Sequence, residues 1–314
     1  MLQRSDIVRE EIKTRFLMEK EKDPQAFERR IDLSWSNWGF GIEPLEQSMQ
    51  RLAENNLDFI ELHGNHYGDD LGYDVEEVKT LLTKFDMKVS GVCGMFNNDN
   101  DLSSNRPIQR QEAINYIRRE AEFTAAVGGS YMLVVPGSVG RPDAYDSSEF
   151  YRSVDSLRRV ASIFEELKIK AAIEPIRAAE VSFVHTVKEA IEYIEAVDMP
   201  GVQYINGDIF HMLSGETNMA TAVLEAGERL VNLHMADTNR CALGDGALDL
   251  DTLLMAMYLI GFNRPGHWAT PEPLGPGAGP YPAMNEKNDP KKLDILVKDT
   301  VDYFREREEA IRNL

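Results

Sequence analysis

The chain has 314 residues, 43% of them hydrophobic, and its 34 Lys and Arg against 53 Asp and Glu give a net charge of −19. This length allows one large domain or two small ones, and the hydrophobic fraction is ample for a sizeable core. The negative charge repels phosphate backbones and anionic lipids, so we expect neither a nucleic acid nor a membrane as a partner.

Cysteine usage and the N-terminal sequence indicate the compartment. Cys93 and Cys241 are far apart and form no CxxC pattern, which fits a reducing environment rather than a disulfide or cysteine–zinc scaffold. The beginning, MLQRSDIVREEIKTRFLMEKEKD, is charged throughout and lacks the apolar core of a signal peptide. No apolar run approaches the roughly 18 residues of a membrane helix. We therefore expect a soluble, cytoplasmic protein.

Residues 1–30 are predicted to form an amphipathic helical extension, and strand and helix patterns alternate from residue 31 onward. Short apolar runs, typical of parallel strands covered on both faces, are followed by stretches with apolar residues at helical spacing. The predicted strands are IDLSW (31–35), DFIELH (58–63), KVSGVCG (88–94), SYMLVVPG (130–137), KAAIEP (170–175), VQYINGD (202–208), LVNLHM (230–235) and HWATPEP (267–273). The predicted helices are 43–56, 74–85, 108–128, 148–167, 186–197, 217–227, 250–261 and 289–311.

Eight strand–helix pairs predict one closed (β/α)8 barrel, the TIM barrel, over residues 31–314. The competing architecture, a doubly wound open sheet, normally carries a glycine-rich turn after its first strand, and SWSNWGFGIEP is not a GxGxxG motif. A long Gly/Pro loop, LGPGAGPYPAMNEKND (274–289), separates the eighth strand from its helix. We expect this loop to overhang the active site.

The fifth to eighth predicted strands each carry, as their last or last-but-one residue, a side chain that can bind a metal: Glu174, Asp208, His234 and Glu272. A lone strand-end carboxylate is more often a helix cap, but the strand ends of a barrel converge on one mouth, so four together predict a metal site. Three carboxylates and one imidazole suit a divalent cation, Mn²⁺ or Mg²⁺ before Zn²⁺. Such a cation would also offset the repulsion between the carboxylates.

Four segments of the chain carry a resemblance to a known family: EPIRAAE, GDIFHM, HMADTNR and PEP, in this order. They resemble the motifs of the xylose-isomerase-like sugar isomerase and epimerase superfamily, especially its ketose 3-epimerase branch. The resemblance runs from the first predicted strand to the end of the chain. It implies a catalytic divalent metal, usually Mn²⁺, on the four ligands, and substrate contacts from His211, Arg240 and Glu180. The Asn-Arg that usually follows the strand-five glutamate is absent, and Ile176 and Arg177 stand near that position.

Enolisation of an oxo-sugar is the chemistry that this site predicts. A metal chelated by a carbonyl and the adjacent hydroxyl polarises the carbonyl and stabilises an enediolate as it forms. Glu174 and Glu272 are the candidate catalytic carboxylates, one removing the proton beside the carbonyl and one returning a proton on the opposite face. His211 is the third candidate catalytic residue, and we expect it to donate a hydrogen bond to the substrate. We expect Arg240 to clamp a hydroxyl or oxyanion.

Two loops carry further candidate substrate contacts. His63 and His66 lie in ELHGNHYGDD after the second strand, and either could be an extra acid or base, although a loop histidine can simply bond to backbone. Trp38, in SWSNWGFG, could stack on a sugar or aglycone, although such aromatics most often pack. His185 and His267 are predicted to be structural.

The layout of the chain is also similar to the catalytic α subunits of bacterial C-glycoside deglycosidases. This similarity lies in the leader, the SWSNWGFG and LHGNHYG loops and the GPGAGPYPAMN insertion. It implies cleavage of the C–C glycosidic bond of a 3-oxo-C-glucoside by proton abstraction and β-elimination, with a small β subunit as partner. A ketose 3-epimerase or sugar isomerase with the same metal site is the alternative, because enolisation is common to these reactions.

Three other classes fit the sequence less well. A metal-dependent endonuclease on this fold would use more histidines and a basic face. A phosphate loop at LGPGAGP would run directly into a helix N-terminus and would be flanked by Lys or Arg. A non-catalytic binding module would not require four ligands at four strand ends.

Overall fold

A computed structural model describes residues 4–64 and 72–314, and the strands in these ranges form one eight-stranded parallel sheet. The strands are β1 (Asp32–Leu33), β2 (Phe59–His63), β3 (Lys88–Cys93), β4 (Tyr131–Val134), β5 (Lys170–Ile173), β6 (Tyr204–Asp208), β7 (Leu230–Met235) and β8 (Trp268–Pro271). Each strand from β2 to β7 pairs with the next along the chain, and β8 pairs with β1. A parallel bridge between Ser36 and Glu61 brings the chain after β1 against β2, so the predicted barrel is confirmed.

Twelve α-helices lie within the described ranges and pack against their neighbours around the sheet. They are α1 (Arg4–Lys22), α2 (Leu45–Glu54), α3 (Val75–Phe85), α4 (Pro107–Ala126), α5 (Glu149–Arg158), α6 (Ser162–Leu167), α7 (Val187–Val197), α8 (Ile209–Gly215), α9 (Met219–Ala226), α10 (Leu250–Leu259), α11 (Pro280–Asn285) and α12 (Pro290–Arg312). Short polar side chains begin several of them, because Asp74, Asn218, Asp249 and Asp289 accept hydrogen bonds from first-turn backbone N–H groups.

Two predicted segments differ from the structure. The single helix predicted over 148–167 is wrong, because α5 and α6 are separated by a tight turn in which the amides of Val160 and Ile163 bond to carbonyls three residues back. The Gly/Pro stretch 274–289 is not all loop, since its second half contains α11. The helix α8, directly after β6, was also not predicted.

Aromatic side chains fill the N-terminal end of the barrel interior. Tyr131 and Trp268 pack there with Ala172 and Val231, and the rings of Tyr131 and Trp268 are 5.7 Å apart. Gly91 on β3 provides room for Tyr131, because a Cβ at Gly91 would lie 2.5 Å from the tyrosine ring. The phenol can therefore lie inside the barrel, below the strand ends.

The predicted N-terminal helix is present as α1, which packs on α10. Phe16 is fully buried at this junction, with ring centroids 5.2 Å from Phe27 and 6.3 Å from Tyr258. The extension is thus joined to the barrel by a shared aromatic cluster. Over the described part of the chain, every helix is too short or too polar to cross a membrane.

Candidate active site

The structure brings the four strand-end residues together at the mouth of the barrel. Glu174 and Glu272 directly follow β5 and β8, whereas Asp208 and His234 lie within β6 and β7. Nδ1 of His234 is 3.3 Å from Oε2 of Glu272 and 3.6 Å from Oε1 of Glu174. All four side chains are buried. The convergence follows from parallel strands, whose carboxyl ends meet at one rim.

The donor atoms of this cluster fit a divalent cation. Ligand atoms of Asp208, His234 and Glu272 lie within 4.8 Å of one another, and the same holds for Glu174, Asp208 and His211. Buried carboxylates this close repel each other unless positive charge compensates them. Oxygen and imidazole donors in this proportion suit Mn²⁺, Mg²⁺ or Zn²⁺, so these residues could hold such an ion.

Protonation supplies part of the compensating charge when no cation is bound. Burial, reinforced by the negative charge of Asp208, raises the pKa of Glu272 to about 7. Burial alone would lower the pKa of His234, but the negative charges of Glu61 and Glu272 outweigh it and hold that pKa well above the ordinary range. The cluster therefore retains protons near neutral pH that a cation would displace.

Glu61, which was not predicted as a site residue, is fully buried on β2. Nε2 of His234 lies 2.9 and 3.1 Å from its two oxygens, and the Tyr131 hydroxyl donates to Oε1 at 2.6 Å. Burial raises the pKa of Glu61, but the attraction and hydrogen bond of His234 outweigh burial and keep that pKa low. A carboxylate inside the apolar run FIELH was the available signal, because buried charges need partners.

His211, Arg240 and Glu180 all line the cavity above the cluster. Nε2 of His211, in the first turn of α8, is 3.3 Å from Oδ2 of Asp208. A terminal nitrogen of Arg240 is 3.2 Å from Oε1 of Glu272. Oε1 of Glu180 accepts a hydrogen bond from Nε of Arg177 at 2.5 Å. The three residues that the family resemblance assigned to substrate binding therefore share one cavity.

Arg240 is held in an uncommon backbone conformation. Its φ of +60° lies in the left-handed region, which non-glycine residues seldom adopt. Its carbonyl accepts hydrogen bonds from the amides of Leu274, at 2.8 Å, and Gly275, at 3.1 Å. The loop after β8 thus fixes the loop after β7, which keeps the guanidinium at the mouth.

Trp38 lines the cavity and also contacts a candidate ligand. Its indole N–H donates to Oε2 of Glu272 at 2.6 Å, and its ring lies 5.3 Å from the guanidinium carbon of Arg240. Its predicted stacking on a substrate stays a prediction. The hydrogen bond to Glu272 was not predicted, since it joins the first and the last strand–helix units of the barrel.

The remaining histidines lie in different surroundings. His63 is buried at the end of β2, where its amide donates to Oδ1 of Asn37 at 2.9 Å, and its predicted substrate contact stays a prediction. His66 lies outside the described residues. Nδ1 of His185 is 3.0 Å from a backbone carbonyl, and Nδ1 of His267 is 3.3 Å from another, which agrees with the structural roles predicted for them.

The cavity, of about 160 Å³, has a polar base and an apolar outer wall. The strand-end cluster forms the base. Met95 and Phe96 after β3, Val139 after β4, and Tyr281 and Met284 on α11 form the wall. The segment after β8 thus lies over the mouth, as predicted.

Fold and site together define a (β/α)8 barrel with a buried carboxylate–imidazole cluster at its mouth. The chain belongs to the xylose isomerase-like TIM barrel family, whose sequence profile matches residues 49–286, more than half of the chain. The predicted superfamily is therefore confirmed.

Several relatives in this family are epimerases. A ketose 3-epimerase of Arthrobacter globiformis is 25% identical over 72% of this chain and 77% of its own length. A 3-dehydro-D-guloside 4-epimerase of Escherichia coli K12 is 28% identical over 71% of this chain and 86% of its own length. The solved structure of a D-allulose 3-epimerase from Methylomonas sp., in complex with D-allulose, superposes with a TM-score of 0.76 at 20% identity, covering 89% of this chain and 98% of that chain.

Proposed function

We propose that the protein is a divalent-metal-dependent enzyme that enolises an oxo-sugar and reprotonates it, acting as a ketose 3-epimerase or a related sugar epimerase or isomerase. The observation that carries the proposal is the buried cluster in which Glu174 and Glu272 both lie close to Nδ1 of His234. The relatives support this choice, because they are epimerases of ketoses and of an oxo-glycoside. The relatives favour this alternative over the deglycosidase that the chain layout implied.

The cation would be held by Glu174, Asp208, His234 and Glu272, with Mn²⁺ as the proposed ion and Mg²⁺ or another divalent cation as substitutes. When bound, such a cation supplies Lewis-acid polarisation of the substrate carbonyl. On cation binding, His234 would contribute a neutral imidazole through Nδ1, since Nε2 faces the Glu61 carboxylate. The carboxylates contribute the negative charge that hard cations prefer.

Proton transfer is assigned to the two glutamates. Glu174 removes the proton from the carbon beside the carbonyl, and Glu272 returns a proton to the opposite face of the resulting enolate. Microscopic reversibility exchanges the two roles in the reverse reaction.

The other predicted residues hold the substrate in this proposal. Arg240 and His211 donate hydrogen bonds to oxygens that gain negative charge as the proton leaves. Glu180 accepts a hydrogen bond from a hydroxyl further along the sugar. Trp38, His63 and His66 are further proposed substrate contacts.

A second candidate, the catalytic subunit of a C-glycoside deglycosidase, is favoured by the apolar outer wall of the cavity. The same proton abstraction at C2 of a 3-oxo-glucoside would be followed by elimination. The C1–aglycone bond breaks, a C1=C2 double bond forms, and the aglycone leaves with the bonding electrons and takes up a proton. This reaction would involve a 3-oxo-C-glucoside, a small β subunit as partner and, given the cysteine usage, a cytoplasmic location.

Glu174→Gln tests the shared chemistry. The variant should lose turnover and bind Mn²⁺ more weakly, because the amide is neither a base nor a charged ligand. Glu308→Gln is the control, since Glu308 is an equally buried carboxylate that contacts the backbone before β1. Full activity in EDTA-treated wild-type protein would contradict the metal-dependent mechanism.

Substrate assays separate the two candidates. The protein is offered free ketoses in D₂O and, separately, a 3-oxo-C-glucoside, with and without any small subunit that an adjacent gene encodes. Inversion at C3 with deuterium incorporation, independent of a partner, supports the epimerase. Release of free aglycone supports the deglycosidase.

A further inference from the structure

Below the mouth, a second set of polar side chains lies inside the barrel. Asn206 is two residues before Asp208 on β6, and Asn232 is two residues before His234 on β7. Alternate residues of a strand point to the same face, so both asparagines point inward as their partners do. Neither asparagine has any solvent exposure.

These asparagines form a continuous chain of hydrogen bonds that reaches Glu174. Nδ2 of Asn206 donates to Oε1 of Glu174 at 2.9 Å. Oδ1 of Asn206 accepts from Nδ2 of Asn232 at 2.7 Å, and this same nitrogen lies 3.1 Å from Oε1 of Glu61. Thr270 completes the chain by donating to Oδ1 of Asn232 at 2.6 Å. Glu174 is therefore held from below by a fixed donor.

The other end of the chain reaches His234. A carboxylate can only accept a hydrogen bond, so the ring nitrogen nearest to Glu61, Nε2, carries a proton. This arrangement turns Nδ1 toward Glu174 and Glu272. Tyr131 in turn donates to Glu61 at 2.6 Å, which holds the carboxylate in place.

We propose that Glu61, Asn206 and Asn232 form a positioning layer that fixes the orientation of Glu174 and His234 and thereby sets the affinity of the site for its cation. The proposal rests on the metal-dependent function proposed above. A group that hydrogen-bonds to a metal ligand fixes the orientation of that ligand before the cation binds. The ligand then loses less conformational freedom when the cation binds.

Packing alone does not account for the layer. The interior of a (β/α)8 barrel is normally filled by bulky branched apolar residues. A buried carboxylate and two buried amides carry a desolvation cost that apolar side chains would avoid. The cost is offset only where every polar atom finds a partner, and the partners here include two candidate metal ligands.

Calorimetric titration of metal-stripped protein with Mn²⁺ tests the proposal. Glu61→Gln should weaken Mn²⁺ binding by about 10- to 100-fold, the range typical for loss of a partner behind a metal ligand. Asn206→Leu should weaken it in the same direction, because it leaves Oε1 of Glu174 without this donor. Glu308→Gln, which changes an equally buried carboxylate at the other end of the barrel, should bind Mn²⁺ within twofold of wild type.

Co²⁺ absorption provides a readout that a general loss of stability would not change. The d–d bands of the Co²⁺-loaded protein should shift in Glu61→Gln and remain as in wild type in Glu308→Gln. Circular dichroism of the metal-free variants verifies that each one folds. If Glu61→Gln fails to fold, Tyr131→Phe removes one donor from Glu61 and should still weaken binding several-fold.

The outcomes distinguish the two proposals. If wild-type protein binds no divalent cation, the metal-dependent function fails and the positioning layer fails with it. If wild-type protein binds Mn²⁺ and the folded layer variants bind it equally well with unchanged Co²⁺ bands, only the positioning layer is overturned.

Discussion

The indole nitrogen of Trp38 lies 2.6 Å from Oε2 of Glu272, so a side chain from the loop after β1 is bonded to the carboxylate that follows β8. The other oxygen of Glu272 is 3.2 Å from a terminal nitrogen of Arg240. Both oxygens of this buried carboxylate are thus held by donors that come from different loops. The side chains at the mouth of the barrel are therefore joined by hydrogen bonds across loops. A substitution in one loop should change the position of side chains that other loops contribute.

Trp38→Phe keeps an aromatic ring and removes the N–H. A hydrogen bond to a charged group contributes about 1.5–3 kcal/mol, so we expect kcat/KM for the active oxo-sugar to fall roughly 10- to 100-fold. Steady-state kinetics of the Mn²⁺-loaded variant measure the change. Trp35→Phe is the control, because Trp35 packs in the core, where its ring centroid is 5.8 Å from that of Phe40. Unchanged kinetics in Trp38→Phe would show that this bond has no role in turnover.

Cation binding should release protons near neutral pH. Burial raises the pKa of Glu272 to about 7, and the carboxylates around His234 outweigh burial to hold its pKa well above the ordinary value. A protonated group cannot bind the cation, so the affinity for Mn²⁺ should rise with pH. Below pH 7, this affinity should fall by roughly tenfold per pH unit for each proton that the cation displaces.

Calorimetry in two buffers with different ionisation enthalpies counts these protons. Glu272→Gln should release fewer protons than wild type at the same pH, because it lacks one of the two titrating groups. Mn²⁺ affinity that does not change between pH 6 and pH 8 would contradict this account.

Phe210 should affect substrate binding without affecting the cation. Its ring centroid lies 4.5 Å from the guanidinium carbon of Arg177 and 4.4 Å from that of Arg240. Each cation–π contact is worth about 0.5–2 kcal/mol, so Phe210→Leu should raise KM by roughly fivefold or more. Phe59→Leu, at the opposite end of the barrel against Trp268, should leave KM unchanged.

Mn²⁺ titration completes this experiment. Phe210 donates no ligand atom, so its variant should bind Mn²⁺ as wild type does. A large loss of Mn²⁺ affinity with an unchanged KM would mean that the aromatic ring supports the cluster and not the substrate side of the cavity.

The N-terminal helix should contribute stability and not chemistry. Phe16 is fully buried, so Phe16→Ala should lower the free energy of unfolding by about 3–5 kcal/mol. Its neighbour Leu17 is 38% exposed, and Leu17→Ala should stay within about 0.5 kcal/mol of wild type. Urea denaturation measures both. A folded Phe16→Ala protein with weakened Mn²⁺ binding would show that α1 acts on the site.

Much of the architecture was predictable because its signals are local. Parallel strands buried on both faces read as apolar runs, and the residue after each run must lie at the barrel mouth. Glu174, Asp208, His234 and Glu272 were therefore predictable as one cluster. The break between α5 and α6 was not, because apolar spacing continues through a turn of i−3 hydrogen bonds without a Gly or Pro to mark it.

The sequence by itself determined the order of eight strand–helix units and the four side chains at their ends, since periodicity and strand ends depend on neighbouring residues. Only the tertiary structure decided what those side chains contact. Glu61 is hydrogen-bonded to His234 although 173 positions separate them in the sequence. Trp38 is hydrogen-bonded to Glu272, where the first and last strands of the barrel meet. Such pairs form only because the sheet closes into a barrel. This closure brings together residues that are far apart in the sequence, so no local sequence pattern predicts their contact.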